Sequence, residues 1–398
     1  MPGKTISEKI LSTKSGRDVR AGDVAICRVD CAMGTDGSAP MALDYFQAMG
    51  GGRVFAPERV VFAFDHYAGD GPTAALHARL REFAAGQGIR VWDVGEGIGH
   101  QLVIEQGLAV PGGLVLGADS HAVTYGAVNA FATGIGSSDL AAILISGEIW
   151  LKAPESIRVT LTGSMRAGVY AKDAALALAG MLGADGANYQ ALEFAGAELP
   201  LEDRLVLANM AVEMGAKNGI FAGDVTADSD ARYVREIALD LGGLTPQVAH
   251  PHRVDSVTAV EAAAGTPVQM VYLGTCTGGR AGDYHEALRV LEAGGGPAPG
   301  VQILVTPASR RVMETLAADA TLAAFRAMGA VIGAPGCGSC CGTCGPIPGD
   351  GVAVISSANR NFKGRMGNGA ARIFLASPAT CAAAAVRGAI ADPREWNS

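Results

Sequence analysis

The sequence predicts an α/β protein with mostly parallel sheets, and three observations carry that expectation. Short apolar runs alternate with helical segments, as in βαβ units. Gly is abundant (55 residues) and aromatics are scarce (6%), which suits tight strand-to-helix turns. At 398 residues the chain is too long for one hydrophobic core, so it is expected to divide into domains.

The elements follow in order. In the N-terminal part, VVFAFDH (60–66), IRVWDVG (89–95) and LVLGADSH (114–121) each begin apolar and end in a polar or Gly-rich cluster. A new start follows, with a strand from Ile157, a helix over Ala171–Leu182 and another over Leu205–Met214. Residues 247–254, with Pro251 and two histidines, are expected to form a linker. The strands VQMVYLG (268–274), VQILVTP (301–307), VAVISS (352–357) and RIFLAS (372–377) come next, with a short apolar run at 330–334. Helices are expected over 284–291, 310–328 and 378–390. Boundaries near 155 and 255 divide the chain into 1–155, 156–255 and 256–398.

Composition excludes several classes. Hydrophobic residues make up 49% of the chain, too many for a disordered protein. No apolar run reaches the length of a membrane span, and the start MPGKTISEKILSTKSG has no apolar signal-peptide segment. A cytoplasmic location is the expectation. A net charge of −8 without basic blocks argues against nucleic acid or an anionic membrane as the main partner.

The chemistry-bearing motifs lie at strand ends. In open parallel sheets, ligands bind beyond the carboxyl ends of strands. Those ends carry Asp65-His66, Asp119-Ser120-His121, Cys276 and the loop PGCGSCCGTCG (335–345). That loop holds Cys337, Cys340, Cys341 and Cys344. In a reducing compartment, clustered cysteines bind metal or do redox work more often than they form disulfides. Spacing alone leaves an iron–sulfur cluster, a four-ligand zinc site and redox-sensing thiols all open, with Cys276 as a candidate third ligand. Two of His66, His100 and His121 have Asp within two positions, a pattern suited to acid–base work. His77, His250, His252 and His285 read as structural or surface residues. SSANRNFKGR (356–365) brings Asn359, Arg360 and Arg365 to a strand end, where arginines can clamp carboxylates. Asp30 and Asp36 are a lesser hint of a polar loop near a site.

With these pieces in hand, the chain resembles the aconitase superfamily, in particular its large subunits of the 3-isopropylmalate dehydratase and homoaconitase type. The matching stretches are DH (65–66), GIGHQ (97–101), LGADSHAVTYGAVNAFATGIGSSDLA (116–141), NMAVEMGAKNGIF (209–221), GTCTGGR (274–280), PGCGSC (335–340) and SANRNFKGRMG (357–367), in the family's order. The resemblance implies three α/β/α domains with an active site at their junction. It also implies a [4Fe–4S] cluster held by Cys276, Cys337 and Cys340, with a fourth iron that binds substrate. Asp65 and His66 match the family's acid pair near the leaving hydroxyl, and His100 with Asp119 matches a second pair. Ser120 and His121 lie beside it, and Glu213 matches a site glutamate. Asn359, Arg360 and Arg365 match residues around the cluster and the substrate carboxylates.

The implied reaction is dehydration of a 2-hydroxy acid followed by rehydration at the neighbouring carbon. The alkylmalate type is the favoured expectation, with homoaconitase or a related di- or tricarboxylate dehydratase as the alternative. A non-catalytic zinc or redox-sensing cysteine protein is the alternative from another class. In split members, a small subunit carries the mobile domain with the serine base, and such a partner is expected here. The chain departs from the family pattern at Gly278, where the family reads Cys-Thr-Asn. It departs also in YAGDGPT (67–73), and at Cys341 and Cys344, where the family has no cysteines.

Overall fold

The computed structural model describes residues 3–396. The chain forms two compact units. One comprises the residues up to Val94 with Gly99–Leu161 and Ala187–Ala238, and the other comprises Gly95–Ile98, Thr162–Gly186 and the residues from Leu239 onward. The segment 156–255 is therefore shared between them. The larger sheets nevertheless follow the chain in three groups, from 31 to 134, from 156 to 240 and from 247 to 375.

The first unit is built on a five-stranded sheet, parallel throughout. Its order is Arg90–Trp92, Val60–Ala63, Cys31–Thr35, Leu114–Gly117, Phe131–Gly134. Every residue of the three central strands is buried. That is the reason these strands read as continuous apolar runs rather than alternating ones. A four-stranded sheet runs in the order Asn218–Phe221, Ala191–Gly196, Ser156–Thr162, Arg235–Asp240, with its first three strands parallel.

The second unit carries a seven-stranded sheet. Its order is Val257–Ala259, Gln247–Ala249, Arg372–Leu375, Ala353–Ser356, Met270–Gly274, Gln302–Thr306, Val331–Ile332. The last five strands are parallel, and the first two pair antiparallel at one edge. Helices Ala281–Ala293 and Pro378–Arg387 pack against each other. The run Ala382–Ala385 is fully buried there, and its small side chains let the helices approach closely.

Three expectations change in detail. Residues 247–254 are not all linker, because Gln247–Ala249 is a strand. Its first amide donates to the buried Asp173 carboxylate at 2.8 Å, which ties it down. The expected helix 310–328 is two, Arg310–Ala318 and Thr321–Ala327, broken at Ala320 in the left-handed region. Asp319 accepts from the Thr321 amide at 3.0 Å and so starts the second helix. The helix expected over 205–214 begins earlier, as Leu201–Met210, and tightens to a 3₁₀ turn over Ala211–Met214.

Asn129 fixes the segment that follows the Asp119–His121 motif. It ends the 3₁₀ turn Ser120–Val128 with φ 63°. Its amide donates to the carbonyls of Phe221 (2.7 Å) and Val225 (2.9 Å), and its oxygen accepts from the Val225 amide at 2.7 Å. Asn129→Ala removes all three bonds and puts an alanine in a conformation it resists. The expected loss is about 2–4 kcal/mol, measured as a lower urea midpoint with unchanged slope.

Candidate active site

In the first unit, three adjacent parallel strands end in acidic groups. The strand Cys31–Thr35 leads to Asp36, Val60–Ala63 leads to Asp65-His66, and Leu114–Gly117 leads to Asp119. Parallel pairing places these ends on one sheet edge. The Asp65 side chain is fully buried and bridges two partners. Its Oδ1 lies 2.6 Å from His66 Nδ1, and its Oδ2 accepts from the Gly99 amide at 2.7 Å. That second bond ties the start of helix Gly99–Glu105, and with it His100, to the Asp65 loop.

Asp119 stands where the histidines meet. His66 Nε2 is 3.6 Å from its Oδ2, and His100 Nε2 is 3.0 Å from its Oδ1. The His100 approach lies off the line of a hydrogen bond. The His121 amide donates to Asp119 Oδ1 at 2.8 Å, an N-cap at the start of the turn Ser120–Val128. His121 then turns its Nε2 to Glu213 Oε1 at 2.9 Å. Glu213 comes from the 3₁₀ turn at Ala211–Met214. Ser120 sits half-buried beside Asp119. The structure thus brings Asp65, His66, His100, Asp119, His121 and Glu213 into one network.

Asp36 and His77 belong to it as well, although the sequence left His77 as structural. Asp36 is fully buried and accepts from the His66 amide (3.0 Å) and the Tyr67 amide (3.0 Å), with His77 Nε2 at 2.9 Å. His77 stacks on Phe64 at 4.5 Å. Burial, and then the neighbouring Asp65 charge, push the Asp36 carboxyl up against the pull of His66 and His77. Asp36, Asp65 and His66 offer three ligand atoms within 4.8 Å of one another. Their mutual hydrogen bonds and their bonds to backbone amides account for that clustering.

In the second unit, the parallel neighbours Met270–Gly274 and Ala353–Ser356 lead to Cys276 and Asn359. Cys276, Cys337 and Cys340 are each no more than 3% exposed. Asn359 spans two of them: its amide donates to Cys276 Sγ at 3.3 Å, and its oxygen is 3.7 Å from Cys340 Sγ. Arg365 Nη2 donates to Cys340 Sγ at 3.3 Å. The neighbouring Cys337 thiol, and then the Arg365 charge, hold the Cys340 thiol below the ordinary thiol range against burial. Arg360 lies half-buried on the same loop. Among the described residues, no three thiols converge within 4.8 Å, as the ligands of a single metal ion would have to.

Two further residues support this loop. Gly338 has φ 58°, and a Cβ there would meet Tyr272 Oη at 2.5 Å and Thr306 Oγ1 at 2.6 Å. Tyr272 in turn donates to the Cys337 carbonyl at 3.0 Å. Lys172 is 2% exposed, and its ammonium donates to the carbonyls of Ser357 (3.0 Å) and Ala358 (2.6 Å), just before Asn359. The available signal was the charged pair Lys172-Asp173 inside the otherwise apolar helix Ala171–Leu182. The departure at Gly278 opens no space, because a Cβ there would strike Ser357 Cβ and Oγ at 2.5 Å.

Asp119 makes the first unit sensitive to acid. Burial pushes its carboxyl up, but the facing His100 and His121 outweigh burial and hold it well below the ordinary range. A lowered carboxyl contributes stability above its unfolded pKa of about 3.9, which is lost as pH falls toward the folded value. Asp119→Asn is therefore expected to be less stable than the native chain near pH 5. The gap should narrow steadily below about pH 4, as read from urea midpoints across that range.

The aconitase family (aconitate hydratase) model matches residues 8–227 and 224–388. The 3-isopropylmalate dehydratase large subunit 2 of Archaeoglobus fulgidus is 46% identical, over 99% of this chain and 100% of the relative. The homoaconitase large subunit of Thermus thermophilus is 45% identical, over 99% and 98%. The crystal structure of Thermococcus kodakaraensis aconitase X shares the fold at a TM-score of 0.57, covering 84% of each chain at 14% identity. The family match spans nearly the whole chain, and near-full-length relatives agree with it: this chain belongs to the aconitase family.

Proposed function

We propose that this chain is the large subunit of an iron–sulfur hydro-lyase of the 3-isopropylmalate dehydratase type. It would move a hydroxyl between adjacent carbons of an alkylmalate-like acid. The observation that carries the reading is the set of N–H groups directed at buried sulfurs: Asn359 on Cys276 and Arg365 on Cys340. Hydrogen bonds to sulfur are how a protein stabilises and tunes thiolate-bound iron.

Cys276, Cys337 and Cys340 would hold a [4Fe–4S] cluster. When bound, the cluster supplies a Lewis-acidic iron that makes hydroxide a tolerable leaving group. The chain's own residues handle the protons. His66 has Nδ1 committed to Asp65, so its proton exchange runs through Nε2, the nitrogen facing Asp119. With its side chain 20% exposed, it is the open member of the network and is assigned to protonate the departing hydroxyl. Asp119 keeps His100 and His121 oriented, and Glu213 holds the far nitrogen of His121. Ser120, Arg360 and Arg365 are assigned to the substrate's polar groups. The Arg365 Nε is buried without a hydrogen-bond partner among the described residues, which suits an incoming carboxylate.

The names of the relatives carry the partner into the reading: a large subunit implies a small one, here with the mobile domain and the serine base. A homoaconitase-type triacid is the second reading, favoured by the near-equal identity to the Thermus relative.

Two experiments test this. Anaerobic reconstitution of the chain with iron and sulfide is expected to give about four irons per chain. Cys276→Ser, Cys337→Ser and Cys340→Ser should each lose them, and Cys341→Ser and Cys344→Ser should keep them. Zinc without sulfide in the native chain would end the cluster reading. The second experiment mixes the loaded chain with a small subunit from the matched relatives and follows unsaturated acid by ultraviolet absorbance. His66→Gln is expected to lower kcat by about 10²–10⁴-fold with iron content unchanged. Turnover of homocitrate but not 3-isopropylmalate would favour the second reading.

A further inference from the structure

The cysteine loop holds two thiols that the proposed reaction does not use. Cys341 and Cys344 are half-buried, whereas Cys27, Cys31 and Cys381 are no more than 2% exposed in apolar cores. Cys276, Cys337 and Cys340 are nearly as deep and are assigned to the cluster. Cys341 and Cys344 are therefore the thiols that a small solute reaches first.

Their geometry is that of a pair. Cys341-Gly342-Thr343-Cys344 has the C-x-x-C spacing. The two Sγ atoms stand 3.8 Å apart, and both thiols turn toward the Gly338 carbonyl, at 3.7 and 3.2 Å. Thr343 Oγ1 lies 2.8 Å from Cys341 Sγ, a polar neighbour for either protonation state. Gly342 sets the turn with φ 71°, and a Cβ there would strike the backbone of Gly367. The turn thus packs Gly342 against the backbone of Met366 and Gly367. Closing from 3.8 Å to the ~2.05 Å of a disulfide is a short movement.

We propose that Cys341 and Cys344 are a reversible dithiol–disulfide pair, a modification site that takes up oxidising equivalents from a hydroperoxide beside the cluster ligands. The balance with hydrogen peroxide is complete. Two S–H bonds and the O–O bond break, and one S–S bond forms. Two electrons pass from sulfur to the peroxide oxygens, and both protons leave in two waters. A dithiol reductant reverses the step by exchange. The pair's sparing of the ligands rests on the cluster reading, while its capacity to form a disulfide does not.

The test uses the reconstituted full-length chain without oxygen. One equivalent of hydrogen peroxide is added, remaining thiols are alkylated after acid unfolding, and the peptides are mapped by mass spectrometry. The expected result is loss of alkylation at Cys341 and Cys344 together, recovered with dithiothreitol, while iron content holds. Cys344→Ser should lose iron to peroxide several-fold faster than the native chain. Pairing of Cys337 with Cys340 in place of Cys341 with Cys344, or continued alkylation of both while iron is lost, would overturn the proposal. Equal iron loss from native and Cys344→Ser chains would overturn the sparing role. A chain that binds no iron or sulfide would sink the cluster reading, and the same thiol map still judges the pair.

Discussion

A buried carboxylate at a strand end is the constraint on which the acid–base network hangs. Asp36 has no exposure and answers it with two backbone amides and a histidine. A charge in that position is tolerable only when donors surround it. By taking the amides of His66 and Tyr67, Asp36 fixes the loop that presents His66. Asp65 takes the ring and, through Gly99, the helix that carries His100. Each acid is held by backbone on one side and orients a histidine or its loop on the other.

The second unit solves a different problem with the same strand-end placement. Thiols that are to carry negative charge need donors and positive groups near them. Asn359 and Arg365 supply direct N–H contacts, and Lys172 braces the carbonyls that precede Asn359. Glycine is required at 338 because Tyr272 and Thr306 occupy the space where a side chain would begin. The cradle is therefore shaped by what packs beneath it as much as by the cysteines.

Much of the site was legible before the structure. Strand ends predict where ligand-facing groups collect, and the pairs Asp65-His66 and Asp119-Ser120-His121 sit where that rule puts them. The structure joins these to Glu213, 92 positions away from His121, through one hydrogen bond. His77 carries no such signal, because it lies mid-helix with no acidic neighbour in the chain. Its partner, Asp36, is 41 positions away. Lys172 hid in the same way, since its acceptors are backbone carbonyls and leave no trace in residue type.

The sequence by itself determined the parallel α/β architecture, the chemical inventory of acids, histidines and thiols, and the family. These follow from hydrophobic period, glycine placement and short motifs, all of which are local. Tertiary structure alone decided which nitrogen faces which carboxylate, which buried charges brace the loops, and that Gly278 opens no space. It also decided that Cys341 and Cys344 stand 3.8 Å apart in a turn packed on the backbone of Met366 and Gly367. Those outcomes depend on contacts between distant segments and on desolvation, and neither is a property of any short stretch of chain.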